Sequence, residues 1–218
     1  MEQAILSLHS HRPEIVSRLV HVPNALPTVL DGFSNLTAEG VRVSVHHVFY
    51  AENYRNFEDF VRFYAERLWQ PGLTELSVSN IILLHPELRR RPECVPRLSD
   101  VAPYLETGVR LARRYGFEIG RGASEDAFPE CVFGVGDHVQ DKPPQERWIV
   151  SPVSGELGLI FAGTRKDVPD RFASGARDYN RVFTHVRACE SCARKPVCLG
   201  VQSDYVALYG DGEIKGVS

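Results

Sequence analysis

Long apolar runs are missing from this chain of 218 residues. Residues 81–84 form the best stretch, far short of the roughly 20 residues that cross a bilayer, so no transmembrane helix and no membrane partner are expected. An excess of positive charge is missing as well. Lys plus Arg number 25 against 28 Asp plus Glu, for a formal net charge of −3, which leaves no global basic field for a phosphate backbone and gives no reason to expect a nucleic acid partner. The first residues carry Glu2 where a signal peptide needs basic side chains, and no long apolar segment follows. The expectation is a cytoplasmic protein. G-x-S-x-G, H-E-x-x-H, G-x-G-x-x-G and phosphate-loop motifs are all absent, so hydrolase, metalloprotease and nucleotide-fold readings have nothing to stand on. Neither an internal repeat nor a low-complexity tract occurs.

What is present reads as a folded chain: 43% of residues are hydrophobic and 24% charged, ordinary values for a globular protein. The length suits one domain with a small appendage. Residues 4–8 look like a short buried strand, and residues 24–39 carry Leu26, Val29, Leu30, Phe33 and Leu36 at helical spacing, stopped by Gly40. Residues 41–50 alternate as a second strand. After turn residues at 53–56, Phe57, Phe60, Val61, Tyr64 and Leu68 mark one face of a second helix, and residues 73–84 read as a third strand. Pro86, Pro92 and Pro96 with three arginines at 89–91 make residues 85–98 an irregular loop, solvated or able to hold an anion. Ser99 or Asp100 can cap a third helix, with Val101, Tyr104, Leu105, Val109, Leu111, Ala112 and Tyr115 inside it and Gly116 at its end.

Three strand–helix units predict an α/β fold with a parallel sheet, because parallel neighbours need helical crossovers. Three strands make a partial (half) βα barrel or an open sheet, not a closed eight-stranded one. Beyond residue 120 Gly and Pro become frequent, and residues 148–150 and 157–161 flank Ser154-Gly155 as a hairpin. Two domains are therefore expected, at 1–120 and 121–218, the second small and cysteine-rich.

Five cysteines in an intracellular chain point to metal rather than to disulfides. Cys189, Cys192 and Cys198 form C-x2-C-x5-C, and Cys131 upstream makes four thiolates, the complement for an iron–sulfur cluster or for tetrahedral zinc. Cys94 stands apart and reads as a buried free thiol. His9 and His11 would share one strand face, with His46 and His47 on the next strand, so a two-histidine metal site is weighed against histidines that merely line a strand end. Asp137 and His138 could shape a channel.

The order Ser7-Leu-His-Ser10, Pro13-Glu-Ile, Arg18-Leu, Gly32-Phe-Ser-Asn-Leu36, residues 48–53 and Pro96-Arg-Leu-Ser-Asp-Val101 resembles the second half of a radical S-adenosylmethionine (SAM) enzyme barrel. The tail, with Phe128-Pro-Glu-Cys131, the C-x2-C-x5-C run, Gly200 and Tyr205-x3-Tyr209-Gly210, resembles that family's SPASM/twitch-type extension. The resemblance implies one auxiliary [4Fe–4S] cluster on Cys131, Cys189, Cys192 and Cys198, and places Ser7 and Asn53 on the side where SAM and substrate bind. The family's C-x3-C-x2-C loop is absent, and no cysteine precedes Cys94. The chain alone is therefore not expected to cleave SAM. It reads as a truncated or split family member supporting modification of a peptide or small molecule with a partner, either a second copy or a separate radical SAM subunit. The alternative is a non-catalytic iron–sulfur or structural zinc-binding interaction protein.

Overall fold

The structure is a computed structural model that describes residues 3–81, 90–121, 129–133, 149–153, 156–161, 183–196, 198 and 200–217. The chain divides into two compact units, Met1–Ile81 with Glu93–Gly122, and Ile82–Pro92 with Ala123–Ser218.

In the first unit the elements run β1 (Gln3–Ser7), α1 (Pro13–Val20), α2 (Ala25–Ala38), β2 (Arg42–Phe49), α3 (Phe57–Arg67), β3 (Thr74–Asn80), α4 (Leu98–Tyr115) and β4 (Ile119–Arg121). The fold class is α/β, as expected: one parallel sheet in the order β1-β2-β3-β4. Strands that pair in chain order have no reversal of winding, so right-handed crossovers carry every helix to one face. Two elements go beyond the expectation. Helix α1 opens on Pro13 and ends at His21 in the left-handed region, while β4 is a fourth, three-residue strand. The third expected strand is described only as far as Asn80, residues 82–84 lying outside the described residues. Helix α4 begins at Leu98, with Arg97 rather than Ser99 or Asp100 in the cap position and no side-chain cap. Gly40 and Gly116 end α2 and α4 with positive φ, as their positions predicted.

The core lies between sheet and helices. Val43, Val45, His47 and Phe49 alternate onto one face of β2 and are buried there with Leu76 and Val78 of β3. Phe57, Phe60, Val61 and Tyr64 of α3 are buried too, and the Phe49 and Phe57 rings meet edge to face at 4.8 Å. Helix α4 crosses α3 at Gly108, where a Cβ would lie 2.6 Å from Phe57 Cδ1. Glycine is required there by the closeness of the two helices.

In the second unit the expected hairpin is present as β5 (Ile149–Val153) paired antiparallel with β6 (Glu156–Phe161). A one-turn helix α5 (Glu130–Phe133), the antiparallel pair β7 (Phe183–Thr184) and β8 (Val201–Gln202), and helix α6 (Ser203–Tyr209) complete it. Among the described residues, no helix is long and apolar enough to cross a membrane.

Candidate functional sites at the carboxyl end of the sheet and around four cysteines

Ligands of parallel α/β sheets bind outside the carboxyl ends of the strands, and the first site lies on the sheet face leading to them, level with the last residue of β1 and the middle of β2 and β3. Ser44, His46 and Val48 occupy the face of β2 opposite its core-facing residues, and the register sets Ser7, His46 and Ser77 side by side across three strands. The His46 ring is held at both nitrogens. Ser77 Oγ lies 2.9 Å from Nδ1 and Ser79 Oγ 3.0 Å from Nε2, while Ser44 Oγ is 3.5 Å from Ser77 Oγ. A neutral imidazole has one N–H and one lone pair, so one serine donates to the ring and the other accepts from it. The chain Ser79–His46–Ser77–Ser44 can thus carry a proton or turn a donor or an acceptor toward a polar ligand. Ser7, exposed beside it, is the strand-end hydroxyl the sequence singled out.

Asn53, the other residue singled out, is buried. Its amide donates to the carbonyls of His9 at 2.7 Å and Val48 at 2.8 Å, and its oxygen accepts from Tyr50 N–H at 2.8 Å. The side chain clamps the loop after β1 to the end of β2. His9 Nδ1 accepts a further bond from Val48 N–H at 3.1 Å. Burial, with the nearby charge of His46 second, pushes the His9 pKa down to about 4.

Among the described residues, the other histidines do not converge on one point. His9 and His11 lie beyond the end of β1, and adjacent His46 and His47 point to opposite faces of β2. His47 sits among Phe49, Phe57 and Phe60, with ring centroids 4.4 to 5.1 Å away. Neither of its nitrogens completes a hydrogen bond, although the Leu8 carbonyl faces the ring. Burial holds it well below the ordinary histidine pKa. Cys94 is half-buried in this unit, its carbonyl accepting from Ala51 N–H at 2.9 Å. Arg89, Asp137 and His138 lie outside the described residues.

The second site belongs to the second unit. Cys131 lies on α5, Cys189 ends a 3-10 turn (Arg187–Cys189), and the Cys192 amide donates back to the Cys189 carbonyl at 3.3 Å. Burial, then a Lys215 main-chain hydrogen bond acting in the opposite sense, then the charges of Cys198, Cys189 and Cys192 set the Cys131 thiol, which is raised overall. The other three sulfurs are therefore within electrostatic reach of Cys131. Main-chain amides aim at three of them: Lys215 at Cys131, Val217 N–H at Cys192 Sγ, 3.3 Å, and Gly200 N–H at Cys198 Sγ, 3.3 Å. Such donors stabilise thiolates, the form that binds metal.

Gly200 has φ +91°, and a Cβ there would lie 2.8 Å from the Thr184 carbonyl carbon. One zinc ion would set its four sulfurs about 3.8 Å from one another, given Zn–S of about 2.3 Å in a tetrahedron. Among the described residues, no group of three or more His, Cys, Asp or Glu side chains stands so as to hold a metal ion. In donor chemistry four thiolates are the complement of tetrahedral zinc or of an iron–sulfur cluster. The sequence had named these cysteines; it carried no sign of the amides.

No family model matches the chain, and no curated protein or solved structure resembles it significantly.

Proposed function

We propose that this protein is a partial βα barrel joined to an iron–sulfur subdomain, in which Cys131, Cys189, Cys192 and Cys198 hold one [4Fe–4S] cluster. The reading is carried by one observation: four sulfurs gather in one unit, and main-chain amides are directed at three of them. The cluster would supply electron transfer or a substrate anchor. The strand order, sequential and without reversal, favours barrel-type over doubly wound geometry.

At the carboxyl end of the sheet, Ser7, His46 and Ser77 would bind the polar part of a peptide or small molecule, with the His46 ring able to pass a proton between its two serines. Asn53 would hold the loop that frames that end. The C-x3-C-x2-C loop is not among these 218 residues, so SAM-cleaving chemistry would come from a partner, either a separate radical SAM subunit or a second copy. Strand β1 offers an edge for one: it ends the sheet order, and Ile5 is 72% exposed on it.

The test is the absorption spectrum and the iron, sulfide and zinc content of anaerobically purified protein beside a Cys192→Ala variant. Absorption near ~400 nm with about four iron atoms per chain, lost in the variant, is expected. A colourless protein with one zinc would refute the cluster. Solution scattering tests the partner, and a monodisperse monomer that ignores an added radical SAM subunit would count against it.

A further inference from the structure

Residues 211–217 are built closely onto the cysteines. Ile214 is buried, and its amide donates to the Asp211 carbonyl at 3.0 Å. Tyr205 of α6 bonds Glu213 through its hydroxyl, and Ala193 N–H donates to the Val217 carbonyl at 2.8 Å. These anchors place Lys215 and Val217 so that their amides reach Cys131 and Cys192. Between them Gly216 passes so near the 3-10 turn that a Cβ would stand 2.6 Å from the Ala188 oxygen. Any side chain at 216 must lift both amides together.

On the reading that these cysteines hold a cluster, we infer that residues 211–217 form a redox-setting strap, whose amides raise the reduction potential of the cluster. Reduction by one electron adds a negative charge that spreads onto the sulfurs. An N–H dipole aimed at sulfur stabilises the reduced form more than the oxidised one, and the potential rises. Gly200 supplies the third amide from β8's approach and stays in place when the strap moves. The strap is therefore separable from the ligands.

The experiment compares wild type, Gly216→Ala and Gly212→Ala, each loaded anaerobically with iron and sulfide and titrated with dithionite under electron paramagnetic resonance. Gly212 has open space where a Cβ would go, so it controls for a glycine change in the same segment. The expected result is unchanged iron in all three, with the reduced-to-oxidised ratio of Gly216→Ala about tenfold below wild type at equal poise, about 59 mV for one electron. Gly212→Ala should match wild type.

Equal potentials in all three loaded proteins overturn the strap and leave the cluster standing. Wild type that takes up no iron overturns the cluster reading, and the strap with it. If Gly216→Ala does not load, hydrogen exchange of wild type decides. The peptide spanning 211–217 should exchange more slowly in the loaded protein than after chelator stripping, and identical exchange overturns the inference.

Discussion

His9 gives the sheet unit a sensitivity to acid whose size follows from its surroundings. Its Nδ1 must stay unprotonated to accept the Val48 amide, and burial with the His46 charge beside it lowers its pKa from 6.5 to about 4. In the unfolded chain the same imidazole binds a proton near pH 6.5. Between these values the unfolded state holds more protons, so stability falls as the pH falls, and the loss is complete below the folded pKa. From pH 7 to pH 5 the difference is about 2 kcal/mol, at about 1.4 kcal/mol per pKa unit crossed. Most carboxylates remain ionised over that window, but the buried His47 and the half-buried His11, both held below the ordinary histidine value, lose stability there too, so the His9 share is the difference between two proteins. Urea unfolding of a Trp148→Phe protein, followed through Trp69 at pH 7, 6 and 5, measures it. His9→Asn keeps an acceptor oxygen in the place of Nδ1 and removes this one titration, so its stability should fall by about 2 kcal/mol less than that of wild type over the same range. A wild-type loss below about 0.5 kcal/mol, or an equal loss in His9→Asn, refutes the reasoning.

Asn53→Ala removes three main-chain partners at once and leaves buried carbonyls unpaired; a loss of about 2–4 kcal/mol in urea unfolding is expected, and a loss under 1 would show that water replaces the amide. Gly108→Ala should destabilise by about 1–3 kcal/mol despite the better helix propensity of alanine, because the added methyl meets the Phe57 ring; a gain in melting temperature would contradict the tight α3–α4 crossing. His47→Leu, which replaces an imidazole lacking completed hydrogen bonds, should raise stability at pH 5 more than at pH 7, as thermal melts at the two pH values can show.

The strands and helices with a full period were legible in the sequence. Leu26 to Leu36 announces α2, and the alternation of residues 41–50 announces β2, because burial of one face imposes the spacing. Helix α1 and strand β4 escaped for the opposite reason: eight residues and three residues are too short to show a period. The split of His46 and His47 between two faces was implicit in their adjacency, yet His46 gains its serines only through the β2–β3 register, which no local pattern encodes. The cysteines were visible by chemistry and spacing. Their amide donors were not, since Lys215 and Val217 act through the main chain, where side-chain identity leaves no trace apart from the glycine between them.

Pairing in chain order also bears on how the sheet assembles. The registers Gln3 with Arg42, Val43 with Thr74 and Leu76 with Ile119 put partners 39, 31 and 43 residues apart (42 − 3, 74 − 43, 119 − 76). Closing loops of such similar length differs by only about 0.3 kcal/mol. Chain entropy therefore does not choose which pair forms first, and side-chain contact does. Strands β2 and β3 match over seven residues, against five for β1–β2 and three for β3–β4, with Phe57 and Phe60 closing over them. Folding should then start in the middle of the chain and grow outward to both edges. Substitutions at Val45 or Leu76 would slow refolding, whereas those at Leu6 or Ile119 would chiefly speed unfolding.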